Sequence, residues 1–297
     1  MLLRTFGVLI VLAQACICFA GEPASSAVFR TLLTRETKLA GFNVGVAIKD
    51  LQSGEEFLVN PDTEFPQGST IRIHLVTELF RQAAAGRLVV DEVRPLPESA
   101  RTGGFGVLRH LGAGTVSLSL RDYAALMMMV NDNTAANLLT DVLGMDSVNA
   151  SLAAQGTPEI RFQRKAVSRR DAPADLPENI GTPRAAMRAL ELIHRGAVVD
   201  AATSRAILDV LALPESSWFR RDLPPGVRFA GESSAGRDMR CEEGIVLLPD
   251  RPYIFCVMYT RPPGAARPAA ADDPLERIAR LALGFFGGPD AVRVRSR

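Results

Sequence analysis

The chain has 297 residues, of which 47% are hydrophobic and 23% are charged, a composition typical of a globular protein with a substantial core. Its 34 basic and 33 acidic residues give a formal net charge of +1. This balance gives no support for a nucleic-acid partner or for binding to an anionic membrane surface. The three histidines are well separated and form no cluster with cysteine. We therefore expect neither a metal site nor a cofactor.

The first twenty residues have the pattern of a secretory signal peptide. Arg4 precedes an apolar run, and the small residues Cys18 and Ala20 precede Gly21. A membrane anchor is an alternative, but the run is shorter than the roughly 20 residues that a span needs. Lipidation at Cys16 is another, although the residues before it are a poor context for lipid attachment. We expect cleavage after Ala20 and an exported, soluble protein without stable membrane insertion.

Hydrophobic periodicity predicts a helix, two strands, a long helical region, three strands and a final helix. The first helix covers residues 25–38, and strands follow at 41–50 and 57–60. The helical pieces are then 69–85, 108–111, 119–130, 133–142, 146–154, 183–195 and 201–211. The last three strands are 227–233, 241–249 and 251–261, and the closing helix is 274–286.

This order predicts an α+β fold. A five-stranded antiparallel sheet is flanked by the terminal helices and carries a large all-helical insertion. Beyond the signal peptide at 1–20, residues 21–297 form one two-lobed domain, with an α/β lobe from 21–63 and 214–297 and a helical lobe from 64–213. Cys241 and Cys256 lie on neighbouring strands but are offset around their turn, so buried thiols are expected rather than a disulfide. We expect a monomer.

The segment Phe65–His74, FPQGSTIRIH, is the most informative stretch. Its loop residues Pro66 and Gly68 bring Ser69 to the first turn of an apolar helix. Backbone N–H groups at a helix start are free to donate, and the helix dipole is positive there. A serine in this position is either a nucleophile or a helix cap, and the cap is much the commoner role.

Three short stretches place polar residues where a cleft between the sheet and the helical insertion would lie. They read S-T-I-R from Ser69, N-D-N from Asn131 and F-A-G from Phe229. In order and spacing they resemble the S-x-x-K, S-D-N and K-T-G motifs of class A β-lactamases and, more broadly, of penicillin-recognising serine hydrolases. Segments such as GGFGVLRHL, RFQRKAV and ENIGTPRAAM extend the resemblance over residues 25–287.

The resemblance implies a β-lactamase-like fold and assigns roles to residues. Ser69 stands at the nucleophile position, and the backbone N–H groups of Ser69 and Glu232 would form the oxyanion hole. Asn133 would contact the acylamide of the substrate. The remaining substrate-binding positions on the strand are Phe229, Ala230 and Gly231. The implied substrate is a small β-lactam or a peptidoglycan-derived acyl compound.

The side chains that should move protons depart from the family pattern. Arg72 replaces the motif lysine, and arginine cannot give up its proton to act as a base. Asn131 replaces the serine that relays a proton, and Phe229 replaces the lysine that holds the substrate carboxylate. The family's glutamate in E-x-x-L-N is also missing. The carboxylates of the 162–182 loop, none in that pattern, are Asp171, Asp175 and Glu178.

Two hypotheses remain. The first is a serine hydrolase with Ser69 as an impaired nucleophile. The second is a non-catalytic relative that binds a ligand or partner in the same cleft, and the side-chain chemistry favours this one or very slow turnover. In that case Ser69, Arg72 and Asn131 are expected to hydrogen-bond with one another. Arg228 or Arg240 is a candidate for the missing positive charge.

Overall fold

The structure is a computed structural model that describes residues 25–39, 41–112, 114–166, 173, 175–213, 219–220, 223–262, 264–269 and 272–288. The expected signal peptide lies outside these residues, and so does Asp171.

Within these ranges the chain forms eight α-helices. They are α1 (Ser26–Leu39), α2 (Arg72–Ala84), α3 (Leu120–Met129), α4 (Asn133–Leu143), α5 (Met145–Ala154), α6 (Pro183–His194), α7 (Ala201–Leu211) and α8 (Pro274–Gly287). Short 3₁₀ turns cover Gly68–Ile71, Glu98–Ala100 and Leu108–His110. None of the helices in the described ranges combines the length and apolarity that a membrane crossing requires.

Nine strands complete the described elements. They are β1 (Asn43–Asp50), β2 (Glu56–Val59), β3 (Phe65–Pro66), β4 (Val93–Pro95), β5 (Ser117–Ser119), β6 (Ile180–Gly181), β7 (Arg228–Ala235), β8 (Met239–Leu247) and β9 (Tyr253–Thr260). The four short strands β3 to β6 are not part of the sequence prediction. They form two-stranded ribbons, β3 with β6 and β4 with β5.

The main sheet confirms the predicted fold class. Its order is β2-β1-β9-β8-β7, and every neighbouring pair is antiparallel. Strand β7 therefore lies at an edge, beside the 3₁₀ turn that carries Ser69. An α+β fold with a five-stranded antiparallel sheet is what the hairpin pattern predicts.

The two faces of the sheet bury different clusters of apolar side chains. On one face, the terminal helices α1 and α8 contribute Phe29, Phe285 and Phe286, which pack on sheet residues such as Phe57. We call this the terminal-helix cluster. On the other face, the inner cluster joins the sheet to helices α2 to α7. Ser69 lies where the inner face meets the edge strand β7.

The helix starts around the site follow from local capping. Asp132 caps α4, its side chain accepting hydrogen bonds from two backbone N–H groups of the first turn. Ser119 and Asp122 form a capping box at the start of α3. Thr182 caps α6, and Pro183 occupies its first position. Helix α3 ends at its C-cap Val130 and α4 begins after its cap Asp132, so Asn131 lies in the short link between the two helices.

The two cysteines in the described residues, Cys241 and Cys256, are free and buried, as predicted. Cys241 lies opposite Met258, and Cys256 lies opposite Glu243, so the two thiols are offset across β8 and β9. Burial raises the pKa of each thiol well above its ordinary value.

Candidate active site

Ser69 lies in the 3₁₀ turn Gly68–Ile71, which continues directly into α2. Gly68 has φ +54°, a backbone conformation that favours glycine. A Cβ atom there would lie 2.2 Å from the Oγ atom of Ser234. The turn is therefore pressed against the edge strand, with Ser69 at the contact.

The Ser69 hydroxyl donates to Asn131 Oδ1 at 3.2 Å. The same oxygen accepts a short hydrogen bond from Arg72 Nη1. Arg72 is only 4% exposed, and its Nη1 also donates to the carbonyl of Met127 at 3.2 Å. These bonds among Ser69, Arg72 and Asn131 confirm the polar network that the sequence predicts.

Arg72 determines the direction of these hydrogen bonds. A guanidinium group can only donate, so the Asn131 atom facing it must be the amide oxygen. The Ser69 hydroxyl must then donate to that oxygen as well. The Ser69 hydroxyl thus donates its hydrogen bond to a neutral amide oxygen. An amide is not protonated at neutral pH, so Asn131 cannot act as the base that removes the Ser69 proton.

Asn131 adopts φ +55°, a left-handed conformation that asparagine tolerates better than most residues. It follows the C-terminal end of α3 and precedes the cap residue Asp132 of α4. This backbone turns the amide of Asn131 toward both Ser69 and Arg72. Strained residues of this kind cluster at functional sites.

Asn133, the predicted substrate contact, already has partners on both ends of its amide. Its Oδ1 accepts from Arg72 Nη2 at 2.6 Å, and its Nδ2 donates to the carbonyl of Gly103 at 3.0 Å. The neighbouring Asp132 also accepts from the backbone N–H groups of Val107 and Leu108. The loop around residue 105 is thereby tied to the N-D-N link.

Phe229 does not lie at the site, which corrects the sequence expectation. Its ring belongs to the terminal-helix cluster and packs on Phe219, with a centroid distance of 4.8 Å. Gly231 shares that side of β7, whereas Ala230 is buried in the inner cluster. Because side chains alternate along a strand, the inner face of β7 carries Ala230, Glu232 and Ser234.

Arg228 and Arg240 do not bring positive charge to Ser69 either. Arg240 pairs with Asp273 and lies 3.6 Å from Glu276 on the terminal-helix side of the sheet. Arg228 lies 3.6 Å from the exposed Asp209. Among the described residues, Arg72 is the cation that lies at the Ser69 site.

The predicted oxyanion donor Glu232 also needs correction. Gly236 N donates to Met239 O across the hairpin, so these two residues form a hydrogen-bonded pair. Every second pair of opposing residues in an antiparallel ladder is hydrogen-bonded, and in the register of β7 and β8 this makes Glu232 and Glu243 such a pair. The Glu232 N–H therefore points toward Glu243. The N–H groups that point away from the sheet at this edge belong to Ser233 and Ala235.

Ser234 is the strand residue that reaches Ser69, and the sequence reasoning missed it. The backbone N–H of Ser69 donates to Ser234 Oγ at 2.9 Å. The signal that could have found it is the strand alternation, which puts Ser234 on the same face as Ala230. The Ser69 N–H, the other predicted oxyanion donor, is therefore already engaged by a side chain.

A buried carboxyl group lies beneath the Ser69 turn. Glu243 forms a short hydrogen bond with Thr70 Oγ1, and Gln67 Nε2 donates to both carboxyl oxygens at 3.3 and 3.4 Å. Burial raises the pKa of Glu243 to about 7, and the bond with Thr70 opposes the shift. Thr70 also donates to the carbonyl of Gln67 at 3.0 Å.

The 162–182 loop offers no described carboxylate to Ser69. Glu178 pairs with Arg164 at 2.7 Å at the surface, and Asp175 is exposed. The buried Asn179 accepts from two backbone N–H groups of the loop, and its own carbonyl accepts from Gln67 N at 2.8 Å. In the described part of this loop, the contact to the Ser69 turn is structural and carries no acid or base.

Comparisons with known proteins agree with this fold. The family model described as the beta-lactamase enzyme family matches residues 27–286. Beta-lactamase L2 of Stenotrophomonas maltophilia is 28% identical over 200 residues, which are 65% of this chain and 65% of that enzyme's length.

The similar solved structures include a β-lactamase from Sphaerobacter thermophilus, with a TM-score of 0.79, 27% identity and coverage of 89% of this chain and 98% of that one. The ancestral class A β-lactamase GNCA shares the fold at a TM-score of 0.76 and 22% identity, covering 87% of this chain and 100% of that one. A point mutant of PBP-A, solved as an acyl-enzyme complex with penicillin G, shares the fold at a TM-score of 0.75 and 18% identity, covering 88% of this chain and 96% of that one. With a family match over nearly the whole described chain, the protein belongs to the beta-lactamase enzyme family.

Proposed function

We propose that this family member binds an acyl ligand in the Ser69 cleft without hydrolysing β-lactams at enzymatic rates. The observation that carries the proposal is the hydrogen bond from the Ser69 hydroxyl to an amide oxygen that Arg72 holds in place. A serine nucleophile needs a partner that removes its proton. In the described ranges, neither a carboxylate nor a lysine hydrogen-bonds to Ser69 Oγ.

The position of Ser234 supports the same proposal. Because Ser234 is the strand residue against the Ser69 turn, we align it with the glycine of K-T-G, which aligns Glu232 with the lysine. A buried carboxyl group then replaces the cation that holds the substrate carboxylate in the family. A β-lactam would lose that charge pairing, which disfavours carboxylate-bearing substrates.

The test uses the mature protein with penicillin G and, separately, with a peptidoglycan stem peptide. We expect no acyl adduct by intact mass spectrometry and no hydrolysis above that of Ser69→Ala. Binding should appear as saturable backbone amide shifts around Ser69 and Asn133. An adduct that disappears in Ser69→Ala would contradict the proposal.

A second candidate is a slow serine hydrolase, favoured by the retained Ser69 hydroxyl at the cleft side of its turn. If the site is only eroded, the triple variant Arg72→Lys, Asn131→Ser and Glu232→Lys should gain acylation by penicillin G. The matched control is the double variant Arg72→Lys and Asn131→Ser, which keeps Glu232 and which we expect to give a smaller gain because the cation for the substrate carboxylate is still missing. Equal behaviour of the double and triple variants would count against the alignment of Glu232 with the lysine.

Export is part of the proposal. The family suggests it, and the first twenty residues carry the pattern of a cleaved leader. Expression of the full chain in a bacterial host should place the protein outside the cytoplasm with Gly21 at its N-terminus, as measured by fractionation and N-terminal sequencing. We also propose that the mature protein is a monomer, which light scattering would test.

A further inference from the structure

We propose that the Ser234 hydroxyl of this protein occupies its own oxyanion hole. It accepts the Ser69 N–H hydrogen bond that an acyl oxygen would need, so a ligand carbonyl must displace it to enter. This inference rests on the proposed function only in taking the Ser69 cleft as the ligand site. It adds a second obstacle to acyl transfer, independent of the missing base.

The first support is the hydrogen bond itself. Ser69 N donates to Ser234 Oγ at 2.9 Å, across 165 positions of sequence. Acyl-transfer sites stabilise the tetrahedral oxygen with preorganised N–H donors that point at it from about 3 Å. A donor that already has a well-placed acceptor cannot serve a ligand oxygen without exchanging one bond for the other.

The second support is the lack of free space. The position of a Cβ atom on Gly68 would be 2.2 Å from Ser234 Oγ and 3.2 Å from Ser234 Cβ. The Ser234 side chain thus fills the gap between the edge strand and the Ser69 turn. A glycine at 234 would leave this gap open, with the Ser69 N–H and the edge N–H of Ala235 beside it.

The Ser234 hydrogen bond disfavours ligands that place an oxygen at the Ser69 N–H. A carbonyl or oxyanion gains a hydrogen bond from Ser69 N only after Ser234 has rotated away and lost its own. Ligands that bind through Asn133 or the loop around residue 105, without placing an oxygen near Ser69 N, avoid that cost. The geometry favours such ligands over acylating ones.

Amide hydrogen exchange of the mature protein tests the contact directly. In Ser234→Ala the Ser69 N–H loses its acceptor, and its exchange rate should rise about fivefold or more. Ser233→Ala is the matched control, because its hydroxyl donates to Glu242 on the other face of β7 at 2.6 Å. Ser69 exchange should be unchanged in that variant. Equal Ser69 exchange in wild type and Ser234→Ala would overturn the proposal.

A second measurement tests whether Ser234 blocks the oxyanion hole or only caps the Ser69 turn structurally. Ser234→Gly is added to the variant with Arg72→Lys, Asn131→Ser and Glu232→Lys, and acylation by penicillin G is followed by intact mass. Opening the hole should raise the acylation rate by about 10²- to 10³-fold, the usual effect of one oxyanion donor. A structural cap would lower thermal stability in Ser234→Gly without raising that rate. Equal acylation with and without Ser234→Gly, including none in either, would overturn the proposal.

The two proposals can fail separately. A penicillin adduct on wild-type Ser69 would contradict the absence of turnover, but the exchange rate of the Ser69 amide would still report on Ser234. Conversely, unchanged exchange in Ser234→Ala would contradict the proposal about Ser234. The proposal that Ser69 lacks a proton acceptor would be unaffected.

Discussion

At the scale of single residues, one arginine determines the chemistry beside Ser69. A lysine at position 72 could lose its proton in a low-polarity cleft, whereas a guanidinium group stays charged. Arg72 also donates to the amide oxygens of both Asn131 and Asn133, which fixes the orientation of these side chains. The substitution therefore removes a base and at the same time holds the cleft in its present hydrogen-bonding pattern.

Arg72→Ala should destabilise the protein strongly. The amide oxygens of Asn131 and Asn133 and the carbonyl of Met127 would lose a buried donor, and unsatisfied groups of this kind cost about 1–3 kcal/mol each. We expect the free energy of unfolding, measured by urea denaturation, to fall by about 2–4 kcal/mol. Arg184→Ala, which removes a surface pair with Asp62, should cost about 1 kcal/mol or less. Similar losses for both variants would show that the network adds little.

Glu243 should make stability depend on pH. Its carboxyl has a pKa of about 7 in the folded protein against 4.5 ordinarily, so folding favours the protonated form. The stabilisation that Glu243 adds to the free energy of unfolding is therefore fully present below about pH 4.5 and is lost as the pH rises through 7. The loss is about 3 kcal/mol at most. Burial lowers the pKa of His74 to about 4, which adds an opposite slope below about pH 6.5. The decline should therefore appear in the difference between wild type and Glu243→Gln, measured by urea denaturation between pH 5 and 8.

The control for this pH series is Glu178→Gln. Glu178 is exposed and paired with Arg164, so its removal should leave the slope between pH 5 and 8 as in wild type. A Glu243→Gln profile that runs parallel to wild type would show that Glu243 adds no pH dependence to stability.

At the scale of secondary-structure elements, strand β7 shows which properties can be predicted from a sequence and which cannot. Its existence and approximate bounds follow from composition, and residues 227–233 are close to the observed Arg228–Ala235. Which face meets Ser69 does not follow from composition, because F-A-G and E-S-S fit a strand equally well. The structure decides it through the aromatic packing of Phe229 and the contact of Ser234.

The facing of β7 predicts different costs for a lysine and a leucine at position 229. Phe229→Lys would place a charge among Phe219 and Phe255 in the terminal-helix cluster, where the ring is 1% exposed. We expect a loss of about 3–5 kcal/mol in the free energy of unfolding, or failure to fold. Phe229→Leu keeps an apolar side chain and should cost about 1–2 kcal/mol. A stable Phe229→Lys protein, by urea denaturation, would contradict the observed facing of β7.

At the scale of the whole molecule, the order of elements was the most predictable property. Local periodicity predicts the five main strands, the terminal helices and the helices between them, because each signal needs only a short window. The site depends on contacts that no window contains. Ser69 meets Asn131 across 62 positions and Ser234 across 165. Resemblance to the family identified Ser69, Arg72 and Asn131, but where the family motif is lost, as on β7, it gave the wrong face.

The two buried thiols should report on opening of the whole molecule. Cys241 and Cys256 lie in the inner cluster between the sheet and the helices, and Cys241 Sγ donates to the carbonyl of Pro66 at 3.1 Å. A reagent can reach them only when these layers separate, and their raised pKa leaves few thiolates near neutral pH. Labelling of the mature protein with a disulfide reagent should therefore be slow for both thiols and should accelerate together with global unfolding as urea rises. Cys241→Ser is the matched variant that assigns the remaining signal to Cys256. If Cys241 were labelled quickly without urea while Cys256 stayed protected, β8 would be separating from the Ser69 turn without global unfolding, and the turn would be less firmly held than its contacts with β7 and β8 indicate.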